Sequence, residues 1–306
     1  MWPTRMDKVA ELDAALKQFS QQQRALPGIA PDAVRRTLAL QMVASLRRLD
    51  YTLRLKQRPI DPARADPNSD MFDPERAAIL HARTGDLDEA FWVIFLATHF
   101  GKHGKHGWQR MRDVYSGLGG KRWTWARYSA DPRKFRSWLA AQGGKVGGAF
   151  GNHRKYESLR ADSLKGTATV LEGYLAWVGC NRSHQELVRE IVRTGGNDPS
   201  VIFDRFYRSM VVKRFGRLGK FDFLALVGRL DLAPMTPGSA YLKGATGPMR
   251  GARLLFSGKP DASLKADQLD EWLRELDGVL DVGMQVMEDS LCNWQKSPRR
   301  FIHFKG

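Results

Sequence analysis

Val9, Leu12, Leu16 and Phe19 recur at helical spacing, and Leu38, Met42, Val43 and Leu46 repeat the pattern after Pro31, a residue suited to a first turn. Two helices are predicted there. Residues 57–74 are crowded with prolines and aspartates, which suits a solvated connection and marks a lobe boundary. From 87 to 100 the chain is apolar on nearly every side, AFWVIFLAT in its middle, as a helix buried in a core would be. Asp131 and Pro132 open a helix containing Phe135, Trp138 and Leu139, which Gly143 and Gly144 close. Ser183 and Glu186 form a capping box for a helix ending at Gly195. Residues 269–276 and 279–294 are helical by the same periodicity. No alternating strand signal, hairpin turn or fixed-period repeat appears, so the predicted fold class is all-α. The expected organisation is an N-terminal helical region with its proline-rich loop over 1–75, followed by a helical core over 76–306.

Charge changes this picture. Lys and Arg total 49 against 33 acidic residues in 306, a formal net charge of +16. Such an imbalance points to a polyanionic partner, against the plainer reading of a generally basic soluble protein. A hydrophobic share of 42% and a charged share of 27% exclude wholesale disorder. No run approaches the ~20 apolar residues of a spanning helix, and the start MWPTRMDKVAELDAALKQ lacks a signal-peptide core, so no membrane partner and a cytoplasmic location are expected. Cys180 and Cys292 form no C-x-x-C unit and read as small buried hydrophobes, not nucleophiles.

Several segments carry candidate chemistry. Residues 144–159, GKVGGAFGNHRKYESL, combine glycines with Asn152, His153, Arg154, Lys155 and Tyr156, a set able to approach phosphate and stack on a base. Arg205, Arg208, Lys213, Arg214, Arg217 and Lys220 alternate with Phe206, Tyr207, Phe215 and Phe221; here the cations are better candidates than the rings. His99, His103 and His106 in THFGKHGKHG invite a metal reading, but the intervening glycines and lysines favour a basic loop touching phosphate. No metal and no cofactor is expected. Residues 237–258, with Lys243, Thr246, Gly247, Arg250, Gly251 and Arg253, suit a helix-hairpin-helix element presenting backbone amides to one phosphate, with Gly251 allowing close approach. Glu288 and Asp289 lie among apolar residues on a predicted helix, where a carboxylate can act as a base.

Taken together, the strings THFGKHGKHGWQRMRDVY, WTWARYSADPRKF, FGNHRKYESL, RLGKFDFL, YLKGATGPMRGARLLF and MEDSLCNW resemble the α-glutamyl/putrescinyl thymine pyrophosphorylases, in particular their third clade, over roughly residues 90 to 296. The resemblance implies a helix-hairpin-helix, DNA-glycosylase-like fold of two helical lobes around a cleft, found in bacterial or phage-infected cells. It implies hypermodification of a thymine-derived base in DNA: an amine, from an amino acid or polyamine, displaces pyrophosphate from a 5-(diphosphooxymethyl)uracil supplied by an upstream base kinase. Excision of a modified base and non-catalytic DNA binding are the alternatives. In this frame Arg154, Lys155 or Lys220 stabilises the leaving pyrophosphate, Glu288 or Asp222 accepts a proton from the amine, and Tyr156 stacks on a flipped base. Related sequences read E-H-S-L-C where this chain has Glu288, Asp289, Ser290, Leu291 and Cys292, so Asp289 ranks below Glu288.

Overall fold

The computed structural model describes residues 5–303. In chain order its helices are α1 (Met6–Gln22), α2 (Asp32–Gln57), α3 (Pro74–Arg83), α4 (Leu87–Phe100), α5 (Gln109–Tyr115), α6 (Trp125–Ala130) and α7 (Pro132–Gln142). They continue with α8 (Thr167–Val178), α9 (His184–Gly195), α10 (Pro199–Ser209), α11 (Arg217–Arg229), α12 (Gly247–Ser257), α13 (Ala266–Leu280) and α14 (Met284–Trp294). The fold is all-α; among the described residues there is no strand, only two isolated bridges. No helix among them is long and apolar enough to cross a membrane.

Local signals place the helix starts. Asp131 accepts from Arg133 N ahead of Pro132, and Ser183 accepts from Glu186 N. Asp73 and Asp86 cap α3 and α4 in the same way. One predicted helix is interrupted: the 279–294 run breaks because Asp277 Oδ1 accepts from both Val282 N (3.0 Å) and Gly283 N (2.9 Å), with Asp281 and Gly283 at φ +48° and +85°. These bonds satisfy the turn better than a continuous helix would, since Gly283 favours positive φ.

The chain folds as two compact units, residues Met1–Thr52 with Pro237–Gly306 and residues Leu53–Thr236. In the first, α1 and the body of α2 share one aliphatic core with α12, α13 and α14, built on residues such as Leu16, Leu38, Leu255, Leu273 and Leu291. Gly251 makes the α12–α14 contact possible: a Cβ there would lie 2.4 Å from Leu291 O. The second unit is organised around α4, whose Phe91, Trp92 and Phe95 are fully buried. Phe95 stacks on Tyr174 at 3.6 Å between centroids, Trp92 on Tyr128 at 4.8 Å, and Phe91 on the His184 ring at 4.9 Å. Such ring contacts add to the area they bury. Cys180 differs from its expected burial: it follows Gly179 (φ +98°) beyond the end of α8 and is exposed, while Cys292 is half-buried.

Candidate functional site

In the second unit, three of the motif strings meet at one side chain. A 3-10 turn, Asn152–Arg154, points Arg154 inward, leaving it 9% exposed while Asn152, His153, Lys155 and Tyr156 stay outside. Arg154 Nε donates to Thr98 O at 2.9 Å, and its guanidinium lies 5.3 Å over the Phe215 ring. Gly219 of RLGKFDFL leaves room for it; a Cβ there would sit 2.9 Å from Arg154 Nη2. Burial lowers the Arg154 pKa, opposed by the charges of Asp222 and Glu157. A guanidinium stays protonated under such a shift, so this is a buried cation flanked by two carboxylates. The loop reaches it because Gly151 N donates to Phe100 O (2.8 Å), where Gly151 and Gly101 pass too closely for side chains.

Around Arg154 the outward groups differ in availability. Tyr156 is 79% exposed, with the Lys155 ammonium 5.1 Å over its ring. Arg214 Nη2 holds the Tyr156 carbonyl at 3.1 Å and pairs with Glu157 at 3.3 Å. Asp222 is exposed on α11. Lys220 is turned to its own unit: its ammonium donates to Tyr207 O at 3.1 Å and lies 4.4 Å over the Tyr207 ring, and burial lowers its pKa.

His99 requires a correction. It lies within α4, not in a basic loop, and is 1% exposed. The Thr167 hydroxyl donates to Ser158 O (3.0 Å) and so accepts from His99 Nε2 (3.0 Å), which places a proton on Nε2. Burial, with Arg154 adding to it, pushes the pKa down to about 3. His99 therefore cannot touch phosphate; it braces the fold beneath Arg154. His103 does lie in a turn, its Nδ1 accepting from Lys105 N (3.2 Å) and His106 N (3.1 Å).

The first unit holds the remaining candidates. Glu288 is 7% exposed on α14, and Asp289 beside it pairs with Arg48 and accepts from Asn293 Nδ2 at 3.0 Å. Lys243, Thr246 and Arg250 are exposed at the start of α12, where Thr246 provides no side-chain cap. Gly247 lies against Cys292, whose Sγ would be 2.6 Å from a Cβ there. Gly251 is buried; Leu291 fills the space that a phosphate would have to approach, so its small size serves helix packing. Arg253 is bonded to Leu264 O (3.3 Å).

Sequence reasoning passed over a second buried cluster of the second unit. Glu89, 4% exposed on α4, accepts from Tyr115 Oη and from Trp125 N (2.7 Å), joining α4, α5 and α6. Burial raises its pKa to about 7. Next to it in sequence, Asp88 accepts from His184 Nδ1 (2.8 Å), and His184 Nε2 accepts from Tyr174 Oη (2.7 Å). In sequence these acids look like ordinary first-turn charges, and only the packing of α6 and α9 reveals them.

An all-helical protein whose motif strings converge on a buried arginine defines the class. The chain belongs to the alpha-glutamyl/putrescinyl thymine pyrophosphorylase family, clade 3, whose model matches residues 33–306. That match takes in α2, beyond the reach of the six strings. The family makes this an enzyme of thymine modification. No curated protein and no solved structure matches the chain.

Proposed function

We propose that the protein replaces the pyrophosphate of a 5-(diphosphooxymethyl)uracil in DNA with an amine from an amino acid or polyamine. In this reaction the amine nitrogen forms a bond to the 5-methylene carbon, the C–O bond breaks, pyrophosphate leaves with the bonding electrons, and the nitrogen loses a proton. The observation that carries the reading is the convergence on Arg154 of three family strings, THFGKHG, FGNHRKY and RLGKFDFL, with Lys155, Tyr156 and Asp222 at the surface around it.

Each group has a role in this scheme. Arg154 is a positioning residue, since its own bonds point inward. Lys155 is the exposed cation placed to meet a phosphate, and Tyr156 offers a ring to a base out of its stack. Lys243 and Arg250, exposed at the start of α12, neutralise backbone phosphates, as a helix-hairpin-helix element would. Glu288, the glutamate of the MEDSLCNW string, is the proton acceptor. Asp222 is the next in line.

The test is to incubate the protein with DNA carrying 5-(diphosphooxymethyl)uracil and candidate amines, digest to nucleosides, and measure mass and abasic sites. A nucleoside heavier by the amine, with pyrophosphate released, is the expected result. Abasic sites instead would make it a glycosylase, and unaltered DNA with retained binding a non-catalytic module. Glu288→Gln should keep DNA binding and lower turnover by about 10²- to 10⁴-fold, with the loss shrinking at high pH where the amine is already neutral. Full activity in that variant would move the role to Asp222.

A further inference from the structure

The second unit carries a groove that the proposed reaction does not use. One face of α8, Thr169, Glu172, Gly173 and Ala176 at helical spacing, forms one side of a cavity of about 540 Å³ whose other wall is Ser209, Val211 and Lys213. Trp177 stands in the lining too, its indole held by a hydrogen bond from Nε1 to Ser209 Oγ at 3.2 Å. Gly173 and Ala176 keep this side of the groove shallow and open. The one carboxylate, Glu172, is taken by Arg136 through two bonds of 2.8 and 2.7 Å. The net charge offered by the lining is therefore that of Lys213, which is exposed.

Apolar exposure follows the same segments. Val211 is 83% exposed, Leu164 79% and Tyr156 79%. Each is anchored to the groove: Val211 lines it, Thr169 Oγ1 donates to Ser163 O (3.1 Å) beside Leu164, and Arg214, next to Lys213, holds the Tyr156 carbonyl. Exposed Lys155, Lys165 and Lys213 alternate with these apolar side chains. Exposed apolar groups gain nothing from a perfect duplex, whose base faces are already stacked. An unpaired strand offers both free base faces and phosphates.

We infer that the groove along α8 binds an unpaired stretch of DNA, with bases against Trp177 and Val211 and phosphates at Lys213. The inference rests on the DNA reading above, and the experiment separates the two. Binding is measured by fluorescence anisotropy for a perfect duplex and for the same duplex extended by a single-stranded thymine tail. The wild-type protein should prefer the tailed DNA by about tenfold, the gain from roughly one stacked base. Val211→Ser and Ala176→Gln change neither charge nor core, since both side chains are exposed. Each should bring the tailed DNA down towards duplex affinity while duplex binding stays within about twofold. Equal binding of both DNAs by the wild type, or a preference that survives both substitutions with native helicity, overturns the groove assignment and leaves the surface to a protein partner. Loss of binding to every DNA would instead overturn the DNA reading itself.

Discussion

The two units solve the problem of a core in different ways. The first packs aliphatic side chains, with glycines where backbones must touch: Gly28 against Leu254 and Gly251 against Leu291. The second packs rings, and among them it buries the titratable groups Glu89, His99 and His184 together with the permanent cation of Arg154; in the first, Arg35 and Glu288 are buried. An aliphatic core constrains shape and is indifferent to pH. Buried ionisable groups cost desolvation and persist where neighbouring bonds compensate them, so the ring core of the second unit should respond to charge and pH and the aliphatic core of the first to volume.

The sharpest way to break that contrast is to remove the buried cation. Arg154→Met deletes the bond to Thr98 O and leaves Glu157, whose Oε2 is buried without a hydrogen bond, to Arg214 alone. Losing a hydrogen bond made by a charged group costs about 1.5–3 kcal/mol, and the lost contact with the Phe215 ring and the lost attraction to Asp222 and Glu157 add to it. Chemical denaturation should show that loss, and Arg154→Lys should recover only part of it because a lysine cannot reproduce the planar fork. A variant as stable as the wild type would mean that Arg154 is not the keystone of this unit.

Next in size is the pH response of Glu89. Its folded-state pKa is raised by burial above all; the hydrogen bonds from Tyr115 and Trp125 N oppose this, and the charges of Asp86, which raises it, and Arg122, which lowers it, have smaller effects. The fold thus favours the protonated acid, so stability present below pH 4.5 is lost as pH rises to about 7. The shift corresponds to about 3 kcal/mol over that window. Glu89→Gln keeps an acceptor for Trp125 N, offers Tyr115 Oη an amide donor in place of the carboxylate acceptor, and cannot ionise. Its melting temperature relative to wild type should therefore climb between pH 5 and 7 and level off above. A constant difference across that range would show that Glu89 ionises freely in the folded protein.

What could be read from sequence follows the range of the interaction involved. Asp131–Pro132 and Ser183–Glu186 act within one turn, and both helix starts lie where those residues indicate. The apolar run of α4 identified a buried helix for the same reason. His99 was misread because its glycine- and lysine-rich neighbours suggest a loop, whereas the helix persists to Phe100 and ends at Gly101 with φ +66°. Its partner Thr167 is remote in sequence, and no local pattern announces the contact. Glu89 was missed likewise, since Tyr115 and Trp125 come from two other helices. The convergence on Arg154 was half visible: the strings were recognised, but not that Arg154 points inward while Lys155 and Tyr156 point out.

The smallest effects test the first unit, through two glycines whose helices look alike in sequence. Alanine in place of a helical glycine gains up to about 1 kcal/mol from reduced backbone freedom, wherever a methyl group fits. At Gly278, exposed on α13, nothing lies within 4 Å of the new Cβ, so Gly278→Ala should stabilise by about 0.5–1 kcal/mol. At Gly251 the same gain meets a Cβ 2.4 Å from Leu291 O and 2.8 Å from Leu291 C, both backbone atoms that cannot rotate away. Overpacking of this kind costs about 1–3 kcal/mol, which exceeds the propensity term, so Gly251→Ala should destabilise. Both changes should be the same at pH 5 and pH 8, since neither residue meets an ionisable group. Opposite signs in urea denaturation, each independent of pH, would place the first unit under volume control. A stabilised Gly251→Ala would show that α12 and α14 can separate at little cost.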